Sequence, residues 1–194
     1  MHYILGLGNP GSEYEKTRHN TGRLVLTDFI KKHGVLMAAD KKLKAMSGRG
    51  GLGKEKFQII FPETFMNKSG SSVRAVVKSK KAVENLIVFH DDIDLPLGGI
   101  KISFGRGSGG HKGVESVIRA VKTKDFTRVR IGVSPHTSSG KLKKPGTKEI
   151  NDFIVSNFKP VELEEVKKVS KRATIFLETT LVSGREKAVS PRKP

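Results

Sequence analysis

HYILGLGNPG, residues 2–11, is the stretch on which the reading of the fold turns. His2–Leu7 is short and apolar and runs into glycine, the pattern of a buried strand. Gly6-Leu7-Gly8-Asn9-Pro10-Gly11 then satisfies G-x-G-x-x-G, so a dinucleotide-binding fold has to be weighed. Three features oppose it. Pro10 stiffens the point where backbone amides should face a pyrophosphate. No helical pattern begins before about Thr21, ten residues late. The acid expected at the tip of a second strand is missing, because Asp28 falls inside the first helical pattern. What remains is a Gly-Asn-Pro-Gly turn followed by a polar run, Tyr14 to Asn20.

Working outward, Thr21–Lys32 places Leu24, Val25, Phe29 and Ile30 at helical spacing, and the pattern stops before Gly34. Phe57–Phe61, Leu86–Phe89, Ile100–Phe104 and Thr127–Val133 read as strands, with the unbroken apolar run Leu86–Phe89 as a central one. Ser69–Ser79, Val114–Val121, the Ile150–Ile154 stretch and the Leu163–Leu181 stripe read as helices. Lys41–Gly53 is basic and Gly-rich and yields no assignment. Gly105–Gly113 is a glycine loop and Ser138–Lys148 a basic loop. Strands alternating with helices, without repeat or linker, predict one α/β layered domain over residues 1–184. Residues 185–194 read as a basic, disordered tail.

Lys and Arg total 37 against 19 acidic residues, a formal charge of +18 over 194 residues. Such a surface attracts polyanions and speeds their association, so nucleic acid is the expected partner. There are no cysteines, which excludes disulfides, thiol catalysis and Cys-based zinc sites. No apolar run approaches the ~20 residues of a membrane helix, and the N-terminus lacks a signal-peptide layout. A cytoplasmic protein with no membrane partner is the expectation.

Four polar constellations carry the chemistry. His19 lies in the loop past the first strand, where α/β sheets place ligands; alone, such a histidine is more often a surface residue. Phe65-Met66-Asn67-Lys68-Ser69-Gly70 precedes a helix, so Asn67 or Ser69 reads as a cap, with presentation of the Asn67 amide to a substrate as the alternative. His90-Asp91-Asp92-Ile93-Asp94 follows the central strand. Its spacing offers few oxygens for a hard cation, whereas one aspartate pairing with His19 would fix the imidazole tautomer and steady the cation formed in catalysis. Gly105–Gly113 opens a helix and bears Arg106, His111 and Lys112, a setting suited to phosphate or ribose.

In order along roughly residues 3–158, these segments resemble the bacterial-type peptidyl-tRNA hydrolase family. The matching text is Gly6–Gly11, Tyr14, Thr17-Arg18-His19-Asn20, Gly22, Phe65-Met66-Asn67, Ser69-Gly70, His90-Asp91-Asp92, Asp94-Leu95-Pro96, Gly98, Gly109-Gly110-His111, Gly113 and Arg128–Gly132. The resemblance implies a monomeric α/β domain with a twisted mixed, mostly parallel sheet flanked by helices. It implies cleavage of the ester between a peptide and tRNA, without metal or cofactor. His19 would be the general base, Asp91 its orienting partner, and Asn9 a reader of the peptide. Tyr14, Phe65 and Asn67 would line the site, Lys112 would join them in binding substrate, and Arg130 would meet a tRNA phosphate. Two positions depart from the family pattern. Lys112 stands where Asn usually follows the glycine-loop histidine, and Ser103 where a Lys often helps clamp a phosphate, with Arg106 nearby. These departures and the high charge motivate an alternative, an RNA-binding relative impaired in hydrolysis.

Overall fold

Four strands lie parallel at the centre of one seven-stranded sheet, and their burial follows from their sequences. The computed structural model describes residues 1–137 and 139–189. In chain order the elements are β1 (His2–Gly6), α1 (Thr21–Leu24), α2 (Thr27–Lys32), β2 (Ala38–Asp40), β3 (Ala45–Leu52), β4 (Glu55–Pro62), α3 (Gly70–Arg74), α4 (Lys80–Glu84), β5 (Leu86–Pro96), β6 (Ile100–Phe104), α5 (Lys112–Val121), β7 (Thr127–Ser134), α6 (Ile150–Val155), α7 (Pro160–Ser183) and α8 (Arg185–Val189). The spatial order is β2-β3-β4-β1-β5-β7-β6. Strands β4, β1, β5 and β7 are mutually parallel, and β2, β3 and β6 pair antiparallel at the edges.

Parallel strands need cover on both faces, and alternate side chains supply it. Ile4, Phe57, Ile59, Ile87, Phe89, Val129 and Ile131 pack with Phe29 of α2 and with Val166, Val169, Ala173, Leu177 and Leu181 of α7. Leu5, Ile60, Leu86 and Val88 point the other way, onto Val73 of α3 and Val114 and Val117 of α5. The result is a three-layer α/β sandwich with a mixed sheet.

Several elements differ from the sequence reading. The Thr21–Lys32 helix is two short ones. Its chain tightens after α1, where Leu26 N–H donates to Arg23 O, so that Val25, Leu26 and Phe29 all enter the core. The Ser69–Ser79 helix shrinks to α3, and Ser79 begins a separate α4 by accepting from Ala82 N–H at 3.2 Å. The unassigned Lys41–Gly53 stretch contains β3; its glycines hide the strand pattern, and an eight-residue ladder to β4 holds it. Strand β5 runs on through the acidic residues to Pro96. Of the tail expected at 185–194, Arg185–Val189 forms α8, and the Arg185 guanidinium lies 3.7 Å over the Phe104 ring; residues 190–194 lie outside the described residues.

Candidate active site

The carboxyl ends of β1 and β5 lie side by side, Gly6 opposite Phe89, and this adjacency builds the site. Leu7 N–H donates to Phe89 O at 3.0 Å as β1 ends. The chain then loops through Pro10 and returns as a tight turn at Arg18–Asn20. Two reciprocal bonds close the loop: Asn9 N–H donates to Asn20 Oδ1 at 2.8 Å, and Asn20 Nδ2 donates to Asn9 O at 2.9 Å. Gly22 follows against Phe89 O and the Leu7 backbone, where a Cβ would overlap both.

Arg18 anchors the same turn from the far side. Its Nη1 donates to Ser156 Oγ at 2.9 Å and Asn157 O at 2.7 Å, and its Nη2 forks onto both Glu162 oxygens at 2.9 and 2.8 Å. The guanidinium also stacks 4.7 Å from the Phe153 centroid. A bidentate, stacked arginine is among the stiffest polar anchors available. The bonds on either side of His19 therefore fix its backbone.

His19 Nδ1 lies 2.9 and 3.0 Å from the two oxygens of Asp91 on β5, and both residues are buried. His111 approaches the same carboxylate, its Nε2 2.9 Å from Asp91 Oδ1. His111 is also the N-cap of α5: its Nδ1 accepts from Gly113 N–H at 3.1 Å and Val114 N–H at 3.3 Å. An Nδ1 that accepts leaves the proton on Nε2, so His111 donates to Asp91. Burial pushes the Asp91 carboxyl up, but the His19 and His111 imidazoles outweigh it by charge and hydrogen bond and hold it well below the usual carboxylate range. Asp91 is thus an ionised acceptor for two rings. With Nδ1 of His19 donating to it, Nε2 of His19 is left to take a proton.

Behind them, His90 donates from Nδ1 to Asp91 O at 2.7 Å, while its Nε2 is buried without a partner among the described residues. Burial, reinforced by neighbouring His111, pushes the His90 pKa well below its ordinary value of 6.5, so the ring is neutral.

His19, Asp91 and His111 bring their ligand atoms within 4.8 Å of one another, close enough for a metal to be considered. The cap argues otherwise. Metal on His111 Nε2 would move its proton to Nδ1, facing two N–H donors. The donor pattern fits a hydrogen-bonded chain.

The three residues border a cavity of about 700 Å³ whose other walls carry Lys101, Ser103, Arg106, Lys112, Arg128 and Arg130. Arg130 Nε donates to Asp92 Oδ2 at 2.5 Å. Arg128 is 4% exposed and has no carboxylate partner among the described residues. Burial, then repulsion from Arg130, lowers its pKa despite Asp92. Lys112 is exposed at the start of α5.

The sequence profile of the peptidyl-tRNA hydrolase family matches residues 3–193. The chain belongs to that family. It is 37% identical to the peptidyl-tRNA hydrolase of Syntrophotalea carbinolica, over 98% of this chain and 95% of that protein. It is 38% identical to that of Thermodesulfovibrio yellowstonii, over 94% and 91%. The crystal structure of peptidyl-tRNA hydrolase from Acinetobacter baumannii superposes with a TM-score of 0.85 at 29% identity, covering 97% of this chain and 92% of that one. These likenesses favour the hydrolase over the impaired RNA-binding alternative.

Within this peptidyl-tRNA hydrolase fold, the expected residues fall into two groups. His19, Asp91, Lys112 and Arg130 share the cavity. Asn9, Tyr14, Phe65 and Asn67 lie outside its lining. Asn9 Oδ1 accepts from Met66 N–H at 3.0 Å, which ties the first loop to the Phe65–Lys68 turn. Phe65 is 60% exposed, Asn67 is exposed, and Tyr14 is half-buried with its carbonyl accepting from Thr17. The capping expectation fails for both Asn67 and Ser69. Neither side chain caps α3, and Ser69 Oγ donates back to Met66 O at 2.9 Å. Sequence reasoning missed His111 as a partner of Asp91, and missed Arg18, Asn20 and Arg128 as anchors and walls. For His111 a signal existed, a polar residue directly before a helical pattern.

Proposed function

We propose that the chain hydrolyses the ester joining a peptide to the 3′ ribose of tRNA, with His19 as general base. The supporting observation is the His19 Nδ1–Asp91 bond at 2.9 Å, which directs the remaining ring nitrogen to substrate. Water gives its proton to His19 Nε2 and its oxygen attacks the ester carbonyl. The Asn67 amide donates to the oxyanion that forms, and Asn9 reads the peptide. Collapse breaks the bond to the ribose oxygen, which takes the proton from His19, so acid and tRNA leave and the ring is neutral again.

Positioned general-base transfer supplies about 10²–10⁴-fold, and one good oxyanion donor about 10²–10³-fold. Arg128, Arg130, Arg106 and Lys112 provide the cationic wall for tRNA phosphates, with Phe65 and Tyr14 as surfaces for the peptide and terminal base. Metal and cofactor have no part in this reading, and the enzyme acts as a cytoplasmic monomer. The test is release of free tRNA from an N-blocked aminoacyl-tRNA. Turnover by the wild type and its loss in His19→Ala are expected; absence of wild-type turnover would sink the reading.

A further inference from the structure

Away from the catalytic cavity, a groove of about 750 Å³ runs between α3 and α5. Five cations border it, Lys44, Lys68, Arg74, Lys78 and Arg119, and no carboxylate does. All five are exposed, and none has a carboxylate partner among the described residues. They come from separate segments: the turn before β3, the turn before α3, α3 and its continuation, and α5. Lys44 is held there by its backbone. It has a left-handed φ of 50°, its flanking Leu43 and Ala45 are buried, and its carbonyl accepts from Glu63 N–H at 2.7 Å and Ser72 Oγ at 3.3 Å. A side chain in that conformation persists only where its surroundings fix it.

Five like charges around one groove repel one another until a polyanion fills it. Ala75 and Ala120, small and part-buried at its border, leave room for a sugar-phosphate chain to come close. The groove also adjoins the candidate site. Lys68 shares a turn with Asn67, and α5 carries Lys112 at the catalytic cavity and Arg119 at the groove, seven residues and about 10 Å apart along the helix.

We infer that this groove is a second RNA-binding surface, holding the phosphodiester backbone of the substrate RNA beyond the end that enters the catalytic cavity. The inference rests on RNA being the substrate class. Its test needs no hydrolysis, so the two can fail separately.

Fluorescence anisotropy with labelled deacylated tRNA, over a range of salt, compares two triple variants. One is Arg74→Gln/Lys78→Gln/Arg119→Gln. The other, Lys31→Gln/Lys54→Gln/Lys171→Gln, removes the same charge outside the groove. The groove variant is expected to bind on the order of 10- to 100-fold more weakly near 0.1 M salt, with the log–log salt slope reduced by about 2–3. The control should change by no more than roughly threefold. Equal effects, or none from the groove set, would overturn the inference. So would poly-glutamate competing as tightly as RNA, which would point to an acidic protein. Acetylation footprinting of the wild type removes dependence on variant folding: tRNA should protect Lys44, Lys68 and Lys78 and leave Lys31, Lys54 and Lys171 reactive. Unprotected groove lysines would equally contradict it.

Discussion

Asp91 accepts from two imidazoles at once, and each bond has a separate consequence. Asp91→Asn keeps the shape but offers one acceptor oxygen and a donor to two facing N–H groups. One ring must then rotate or switch tautomer, and kcat should fall by about 10²–10⁴ with little loss of tRNA affinity. At His111 two roles can be pulled apart. His111→Asn keeps a residue type that caps helices well but is too short to reach Asp91, so activity falls about tenfold while the urea midpoint stays near wild type. His111→Ala loses the cap too and should cost a further ~1 kcal/mol in urea unfolding. Equal stability of the two variants, or wild-type activity in His111→Asn, would refute the division. A pairing of His19 with one of the aspartates after Phe89 was legible before the structure, because both follow apolar runs whose carboxyl ends meet at one side of the sheet; the family resemblance, not the spacing, singled out Asp91. His111 was not, since a histidine before a helix reads equally as a loop cation, and its partner lies on a different strand.

At the scale of elements, the central strands and the long helices were readable because burial on both faces or along one stripe leaves continuous apolar patterns. The edges were not: β3 carries Gly48, Gly50 and Gly51, and only its pairing with β4 makes it a strand. The split of α1 from α2 likewise comes from docking, with Gly22 pressed onto β1 and β5. The anchor between the His19 turn and α7 was invisible for the same reason. Arg18 and Glu162 are far apart in sequence, yet the buried guanidinium and the half-buried carboxylate form a bidentate pair at 2.9 and 2.8 Å. Glu162→Gln leaves the guanidinium buried without its anion and should destabilise by about 3 kcal/mol in urea. A loosened Arg18 turn should lower kcat as well; unchanged stability would show the pair to be incidental.

Across the whole molecule, stability should depend on pH in two stages. The unfolded chain takes up a proton at His90 below its ordinary 6.5, and the folded protein, with that pKa depressed, does not. Stability from this residue is therefore complete above 6.5 and declines as pH falls toward the folded pKa, by about 1.4 kcal/mol per pH unit per proton. Asp91 adds a second decline below its ordinary 3.8, lost as pH drops through the depressed folded value. His90→Gln should remove one proton's share of the first decline; a melting-temperature profile between pH 7 and 5 that matches wild type would count against the buried neutral ring. The formal charge of +18 sets the whole molecule's attraction for RNA, and composition alone made that visible, although not where the charge gathers.

Whether His19 and Asp91 act as one unit decides the mechanism, and a double-mutant cycle on hydrolysis of peptidyl-tRNA measures it. Single-turnover rates are needed for wild type, His19→Ala, Asp91→Asn and the double variant. The expected result is that each single change slows cleavage at least ~10²-fold and that the double variant is scarcely slower than His19→Ala. Losses that multiply, or a His19→Ala enzyme cleaving at the wild-type rate, would contradict it.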